Sequence, residues 1–202
     1  MENDLICINV PEATHRLVLL HGWGADADDL ISIGQCLRES SSQAKFDLVA
    51  LRAPHQHPEG FGRQWYGLFP PDWASVPSEI ADLKNRIKEL GKKSIGLEKT
   101  VIIGFSQGGA MALASGSELP LAGLISCSGY PHPNWSPPLK APPVLLFHGI
   151  RDEVVPIDAS RRLLEVFKNN KSQVELITFE GGHLIPQELF PQILLALQKW
   201  FV

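Results

Sequence analysis

Residues 101–109 read VIIGFSQGG, and this run decides how the rest of the chain is interpreted. Residues 101–103 are apolar and β-branched, as a buried strand favours, and residues 109–114 (GAMALA) are mostly good helix formers. A G-x-S-x-G turn between a strand and a helix is typical of a nucleophile elbow, which projects a reactive serine from the carboxyl edge of a sheet. Ser106 is therefore the candidate nucleophile, and we expect its backbone to be strained.

The same short pattern has plainer interpretations. We expect Gly104 and Gly108 to lie where the strand and the helix approach too closely for a Cβ. A phosphate-binding turn or an ordinary strand-to-helix connection uses glycine in the same way. Because 17 of the 202 residues are glycine, three specified positions can also match by accident. The interpretation therefore depends on a base, an acid and an oxyanion site elsewhere in the chain.

Composition limits the class of protein. The chain has 202 residues, of which 44% are hydrophobic and 20% charged, and this predicts one globular domain over residues 1–202. The net charge is −4 and no basic stripe stands out, which argues against a nucleic-acid partner. The start of the chain lacks the features of a secretory signal, and no apolar run is long enough to cross a bilayer. A cytoplasmic protein is expected.

The sequence predicts neither a metal site nor another cofactor. Cys7, Cys36 and Cys127 are widely spaced in apolar surroundings, so we expect buried, reduced thiols rather than a disulfide framework or a metal knuckle. His55 and His57 form an H-x-H pair that could bind a metal, but no third ligand is evident, and a polar loop is the preferred interpretation.

Strand-like and helix-like segments alternate along the chain. Strands are predicted at residues 5–10, 16–20, 46–51, 100–103, 121–127, 144–147 and 174–179. Helices are predicted at residues 26–38, 76–92, 109–117, 158–169 and 187–201. This alternation favours an α/β fold with a mostly parallel sheet of about seven strands, the first at an edge, and helices on both faces. In such sheets ligands bind at the carboxyl ends of the strands.

Two loops that follow predicted strands carry an acid and a histidine. Asp152 follows residues 144–147, and His183 follows residues 174–179 after two glycines. A serine hydroxyl needs a base, a neutral imidazole can accept and return a proton near pH 7, and a carboxylate orients that imidazole. The chain order Ser, Asp, His is that of α/β-hydrolases, so we predict that fold and a catalytic triad of Ser106, Asp152 and His183.

Each member of this triad has an alternative interpretation. Asp152 could instead cap the helix that follows it or pair with Arg151. Glu153 and Asp158 are rival acids in the same loop region. His183, taken alone, could be an ordinary loop histidine.

An oxyanion site is expected in the turn at residues 20–24 (LHGWG). Two backbone N–H groups are needed where negative charge develops, and Gln107, the residue after the nucleophile, is expected to give one. We expect Trp23 to give the other, although the glycines of this turn could serve steric needs alone. His21 is expected to hold the loop by hydrogen bonds rather than to act as a base.

Residues 53–75 form the longest irregular stretch and are rich in aromatic side chains. A long loop of this kind in a compact domain is usually functional, and its aromatic content argues against disorder. We interpret it as a wall of an apolar acyl pocket, with Trp65, Tyr66 and Phe69 as substrate-binding residues. The proline-rich residues 129–143 are a candidate second wall. The alternative is an aromatic cluster folded on the surface.

Four motifs together resemble the phospholipase/carboxylesterase family of small α/β-hydrolases, which includes acyl-protein thioesterases and lysophospholipase-like esterases. The motifs are LHGWG at residues 20–24, GFSQGG at 104–109, HGIRDEVVP at 148–156 and GH at 182–183. The resemblance implies Ser106, Asp152 and His183 as the triad. It also implies Trp23 and Gln107 as oxyanion donors and a reaction without a cofactor.

These residues predict a serine hydrolase that cleaves a carboxylic ester or thioester through an acyl-enzyme intermediate. Its expected substrate is a small or lipid-like acyl ester. A peptidase, a lactonase or a dienelactone-type hydrolase on the same scaffold is an alternative, and so is a binding module that keeps the fold without catalysis. Exposed aromatic loops could also join two copies in a homodimer or contact a membrane surface.

Overall fold

A computed structural model describes residues 4–41 and 45–201 of the chain. Its strands are β1 (Leu5–Ile8), β2 (His15–Leu20), β3 (Phe46–Leu51), β4 (His55–Gln56), β5 (Arg63–Gln64), β6 (Thr100–Phe105), β7 (Gly123–Cys127), β8 (Val144–Gly149) and β9 (Val174–Phe179). Its α-helices are α1 (Asp28–Ser40), α2 (Val76–Gly91), α3 (Gln107–Gly116), α4 (Asp158–Asn169) and α5 (Phe190–Trp200). Single 3₁₀ turns cover Leu97–Lys99 and Gln187–Leu189.

Seven of the described strands form the central sheet, in the order β1-β3-β2-β6-β7-β8-β9. β1 pairs with β3 in antiparallel fashion, and all the other neighbours are parallel. The inner strands are nearly continuous apolar runs because both faces of a parallel sheet are covered. The predicted fold, including the first strand at an edge, is confirmed.

The helices form one layer on each face of the sheet. α1 and α5 pack on one face, while α2, α3 and α4 pack on the other. Successive side chains of β2 point to opposite faces of the sheet. Leu17 and Leu19 contact the layer of α1 and α5, whereas Val18 and Leu20 contact the layer of α2, α3 and α4. α3 follows the central strand β6 and is buried along its whole length. The turn between β6 and α3 therefore lies at the middle of the carboxyl edge.

The long irregular stretch at residues 53–75 contains a short hairpin that its sequence does not predict. β4 and β5 form a two-residue antiparallel hairpin, too short for a side-chain period to be visible. The hairpin packs on the turn after β2, where Gly24 N donates to Arg63 O (2.9 Å) and Arg63 N donates to Ala25 O (2.7 Å). Gly62 has a φ of +66°, and a Cβ there would lie 2.0 Å from Gly24 O. This close backbone contact fixes the hairpin beside the predicted oxyanion turn.

The cysteines differ from expectation in their burial. Cys127 is buried, but Cys7 and Cys36 are exposed, and none of the three is in a disulfide. Prediction of burial was wrong for these two because Cys7 points outward from an edge strand, and Cys36 lies on the solvent side of α1 beside the buried Leu37. Among the described residues, no helix combines the length and the apolar character needed to cross a bilayer.

Candidate active site

The turn that carries Ser106 is strained, as expected. Ser106 has φ 53° and ψ −119°, a backbone conformation that residues other than glycine rarely adopt and that costs about 1–3 kcal/mol. Two backbone hydrogen bonds hold it there: Ser106 N donates to Cys127 O (2.8 Å), and Ser106 O accepts from Ala110 N (3.0 Å). The surrounding strand and helix thus fix the direction of the hydroxyl.

Two glycines let the elbow form. A Cβ on Gly104 would lie 2.2 Å from Gly108 O, and a Cβ on Gly108 would lie 2.2 Å from Leu20 O. Both distances are impossible contacts with backbone atoms, so no other residue fits without moving a strand or α3. The glycines that the sequence places around Ser106 are required by close approach.

Asp152 and His183 meet at the same edge of the sheet. Asp152 follows β8, His183 follows β9, and His183 Nδ1 lies 2.7 Å from Asp152 Oδ2. The other carboxylate oxygen accepts the backbone N–H groups of Val154 (3.0 Å) and Val155 (2.8 Å). With both oxygens engaged, the carboxylate fixes the imidazole so that its Nε2 faces away from the acid.

Hydrogen bonds keep Asp152 ionised despite its burial. Burial acts to raise the pKa of this carboxyl, but the hydrogen bond from His183 and that from the Val155 backbone outweigh it, and the pKa lies below its ordinary value. Asp152 is therefore a carboxylate at neutral pH. It can stabilise an imidazolium on His183 without taking up the proton itself.

The rival groups around Asp152 have other partners. Asp158 is exposed and pairs with Arg161 (2.8 Å), and Glu153 is also exposed. Arg151 reaches Glu180 (3.8 Å) rather than Asp152. Asp152 is thus the acid that the structure brings to His183.

His148, which the sequence analysis missed, supports the acid loop. It is fully buried at the end of β8, with Nδ1 2.7 Å from Ser160 Oγ and Nε2 2.8 Å from Val155 O. The same Nε2 lies 3.4 Å from Asp152 Oδ2. These contacts tie the loop to α4. A polar residue at the end of an otherwise apolar strand was the available signal.

Ser106 and His183 share a groove without a direct hydrogen bond. Both side chains line it, and the Phe105 ring packs against the His183 ring with centroids 4.7 Å apart. In the described part of the chain, no hydrogen bond joins Ser106 Oγ to His183. Such contacts are often long in a free enzyme and tighten when substrate binds.

Two backbone donors are available beside Ser106. Neither Trp23 N–H nor Gln107 N–H donates to another group in residues 4–41 and 45–201. Gln107 begins α3, so its N–H also carries the positive end of the helix dipole. The Trp23 ring is held by Gln64, with Nε1 to Oε1 at 2.9 Å, and by edge contact with His57. The expected oxyanion donors are thus free and held in place.

His21 holds this turn by hydrogen bonds, as predicted. Its Nδ1 lies 2.8 Å from Gly22 O, and its Nε2 accepts the Ala53 N–H at 3.1 Å. Burial lowers the pKa of His21, so the ring is neutral. It links the turn after β2 to the start of the aromatic loop.

The groove that contains Ser106 has a volume of about 570 Å³, within the range of small-molecule sites. Its lining is mostly apolar and includes Trp23, Leu68, Phe69, Pro71, Trp73, Phe105, Tyr130, Val154, Val155 and Pro156. Ser106 and His183, the candidate nucleophile and base, lie in the same lining. An acyl chain is the kind of ligand that such a surface suits.

Comparison with known proteins identifies the family. The chain matches the phospholipase/carboxylesterase family over residues 2–201, nearly its whole length. The chain belongs to the phospholipase/carboxylesterase family. The predicted family and the predicted reaction class, hydrolysis of carboxylic esters or thioesters, are both confirmed.

Several named proteins resemble the chain over most of their length. An acyl-protein thioesterase 1 from Emericella nidulans is 32% identical and is aligned over 93% of this chain and 89% of its own. An acyl-protein thioesterase 1 homolog from Dictyostelium discoideum is 25% identical, over 94% and 92%. The crystal structure of esterase PE8 is 29% identical and covers 97% and 98%, with a TM-score of 0.86. A carboxylesterase from Mesorhizobium loti, 19% identical over 93% of this chain and 90% of its own, shares the fold with a TM-score of 0.80.

In this family member, two of the three predicted substrate-binding aromatic residues lie in the core. Phe69 lines the groove and is 74% exposed, but Trp65 and Tyr66 are each 1% exposed and are absent from the groove lining. Trp65 Nε1 donates to His21 O (2.9 Å). The prediction that Trp65 and Tyr66 contact substrate is corrected, since they support the groove from behind. Of residues 129–143, only Tyr130 lines it.

The Gln107 side chain holds the aromatic loop against the elbow. Its Oε1 accepts Trp65 N–H (3.0 Å), and its Nε2 donates to Tyr66 O (2.8 Å). The sequence predicts that Gln107 matters through its backbone N–H more than through its side chain, but this side chain is fully buried and joins two parts of the site. We call these two hydrogen bonds the Gln107 clamp.

A chain of polar groups lies beneath Tyr130. Tyr66 Oη lies 2.6 Å from Tyr130 Oη and 2.9 Å from His132 Nε2. Burial lowers the pKa of His132 to about 4, raises that of Tyr130 to about 12 and also raises that of Tyr66. All three groups are therefore neutral at pH 7, which suits an apolar groove.

Gln107→Ala is expected to lower the free energy of unfolding by about 2–4 kcal/mol. It leaves two buried backbone groups of the Gln107 clamp unpaired, each at about 1–3 kcal/mol. Urea unfolding measures the change, with Gln56→Ala as a matched control, because Gln56 is exposed and donates to Gly60 O (3.2 Å). Equal effects of the two variants would contradict this role.

His55 and His57, the H-x-H pair, contact other side chains rather than a common metal-binding position. His55 Nε2 lies 2.8 Å from Glu79 Oε1, and His57 packs on Trp23 with ring centroids 4.1 Å apart. Across residues 4–41 and 45–201, no three His, Cys, Asp or Glu side chains are grouped as metal ligands would be. His55 thus joins the hairpin to α2, and His57 packs against Trp23.

Proposed function

We propose that the chain hydrolyses carboxylic esters and thioesters through an acyl-enzyme formed on Ser106. The observation that carries this proposal is the hydrogen bond of 2.7 Å between Asp152 and His183 at the groove that also contains the strained Ser106. It supports Ser106 as nucleophile, His183 as general base and acid, and Asp152 as the group that orients His183.

In the first half-reaction, His183 Nε2 accepts the Ser106 proton as Oγ attacks the substrate carbonyl carbon. Negative charge develops on the carbonyl oxygen, and we assign its stabilisation to the N–H groups of Trp23 and Gln107, which have no other acceptor in the described residues. The bond to the leaving alcohol or thiol then breaks, and His183 returns the proton to the departing oxygen or sulfur. The Asp152 carboxylate stabilises the imidazolium that forms between these steps.

In the second half-reaction, His183 removes a proton from water, and the resulting attack on the acyl carbon releases the carboxylic acid. Ser106 regains its proton from His183, and the cycle closes. No metal or cofactor is needed for any of these steps. The same two N–H groups stabilise the second oxyanion.

The apolar groove supports an acyl chain as the group that remains on Ser106. Its lining residues Leu68, Phe69, Trp73 and Val154 offer hydrocarbon rather than charge. Two relatives carry the name acyl-protein thioesterase, which extends the proposal to thioesters. We include in the same proposal that the protein accepts a lipid-like acyl ester.

The acyl-enzyme is tested by mixing the protein with p-nitrophenyl butanoate and following p-nitrophenol in the first seconds. We expect a burst approaching one equivalent if deacylation is slower than acylation, and a fluorophosphonate should label the peptide that contains Ser106. Label on another residue, or none, would exclude the proposed nucleophile. Comparison with the matching amide separates an esterase from a peptidase.

Several predictions from the sequence stay predictions. These are a single domain over residues 1–202, cytoplasmic location, a homodimer formed by exposed aromatic loops and the lack of a nucleic-acid partner. Size-exclusion chromatography with light scattering would decide the oligomeric state.

A further inference from the structure

A second, smaller cleft adjoins the groove at His183. Its volume is about 280 Å³, and Gly22, Ala25, Phe105 and His183 line both spaces. Ser106 lines the groove but not the smaller cleft. We call this second space the α1 cleft, and its own lining includes Asp29, Leu30, Ile33, Leu184 and Ile185.

The α1 cleft is built from apolar side chains on two elements. Leu30 and Ile33 are three residues apart on α1 and so share one face of that helix. Leu184 and Ile185 directly follow His183, and Leu184 is 46% exposed. Among the described residues that line the cleft, Asp29 alone is acidic, and none is Lys or Arg. A neutral, apolar group fits this lining.

The chemistry of acylation assigns the two spaces different parts of a substrate. The acyl carbon becomes bonded to Ser106 Oγ, so the acyl chain must lie in the space that Ser106 lines. The leaving group instead receives the proton from His183 Nε2 as its C–O or C–S bond breaks. Because Nδ1 is held by Asp152 at 2.7 Å, only Nε2 is free for this transfer. The leaving group must therefore lie next to His183, and the α1 cleft is a space that His183 lines and Ser106 does not.

We propose that the α1 cleft binds the alcohol or thiol part of the substrate during acylation, while the groove binds the acyl chain. This proposal rests on the proposed function, because it needs Ser106 as nucleophile and His183 as acid. The cleft corresponds to about nine water-sized groups at roughly 30 Å³ each, enough for a benzyl group. Asp29 disfavours leaving groups that carry a negative charge near the carbonyl, such as phosphate esters.

The test compares two series of esters. One series keeps a butanoyl group and varies the alcohol from methyl to benzyl to naphthylmethyl, and the other keeps the methyl alcohol and varies the acyl chain from acetyl to octanoyl. The variants are Leu184→Trp, which fills the α1 cleft, and Leu184→Ala, which widens it. Val154→Trp is the matched control, because Val154 is 68% exposed and lines the groove instead.

Leu184→Trp is expected to lower the ratio of kcat/KM for benzyl to methyl butanoate about tenfold. Leu184→Ala should raise the ratio for naphthylmethyl to benzyl butanoate. Val154→Trp should change the ratio between octanoate and butanoate instead. The proposal is overturned if Leu184→Trp changes the acyl-chain ratio and not the alcohol ratio, or changes neither.

The experiments give different results if the assignment of the α1 cleft is wrong and if the proposed function is wrong. A protein that is acylated on Ser106 but whose alcohol selectivity is insensitive to Leu184 overturns the assignment of the cleft alone. A protein that turns over esters without modification of Ser106 overturns the proposed function, and the assignment of the cleft with it.

Discussion

Ser106→Ala is expected to lower kcat/KM for p-nitrophenyl esters by about ten-thousand-fold to a million-fold. The variant lacks the oxygen that attacks the carbonyl, while the oxyanion donors and the groove remain. Steady-state kinetics with several acyl chain lengths measures the loss. Because alanine at φ 53° is as strained as serine, the free energy of unfolding should change little.

Ser115→Ala is the matched control for this variant. Ser115 is a fully buried serine of α3, the helix that follows Ser106, and its hydroxyl donates to Met111 O at 2.7 Å. Its loss removes a similar group without touching the groove, so activity should stay within about twofold of the wild type. Near wild-type turnover by Ser106→Ala would show that another group is the nucleophile.

Asp152→Asn is expected to lower kcat by about ten-thousand-fold. An amide in this place leaves the shape of the loop almost unchanged but lacks the negative charge. Its NH₂ can face His183 Nδ1 and favour the tautomer with the proton on Nε2, which cannot accept the Ser106 proton. Because the pKa of Asp152 lies below its ordinary value, its carboxylate should stay charged, and should keep orienting His183, down to mildly acidic pH.

Glu153→Gln and Asp158→Asn are the controls for Asp152. Both side chains are exposed carboxylates near the same loop, and neither contacts His183 in the structure. Each neutralises one charge, as Asp152→Asn does, so a long-range effect of charge would appear in all three. We expect rates within about twofold of the wild type for the two controls. A large loss in either control, with Asp152→Asn active, would reassign the acid.

The placement of the candidate reactive residues could be predicted because each of them lies in a loop or turn that follows a strand of the parallel sheet. Parallel strands bring their carboxyl ends to one edge, so residues that follow the apolar runs are brought together whatever the details of packing. Ser106 directly follows β6, and Asp152 and His183 lie in the loops that follow β8 and β9. Gly104 and Gly108 could be predicted for a similar reason, since only close approach requires glycine on both sides of the serine.

The walls of the site could not be predicted in the same way. Residues 53–75 have no period to indicate which aromatic side chains turn inward, and their placement depends on contacts with distant residues. Trp65 is buried because His21 O and Gln107 Oε1 accept its two N–H groups. Neither contact leaves a signal in the local sequence. The α1 cleft is hidden for the same reason, because Leu30 and Leu184 are 154 residues apart in the chain.

The Gln107 clamp has a consequence for anyone who wishes to redesign this protein. One residue is proposed to donate its backbone N–H to the oxyanion, and its side chain binds the loop that shapes the groove. A loop transplanted from a relative would therefore alter turnover as well as substrate preference, unless the graft preserved its bonds to that amide. Substrate selectivity and turnover rate therefore depend on the same residue in this fold. Mutant libraries that vary residues 65–66 should vary position 107 together with them.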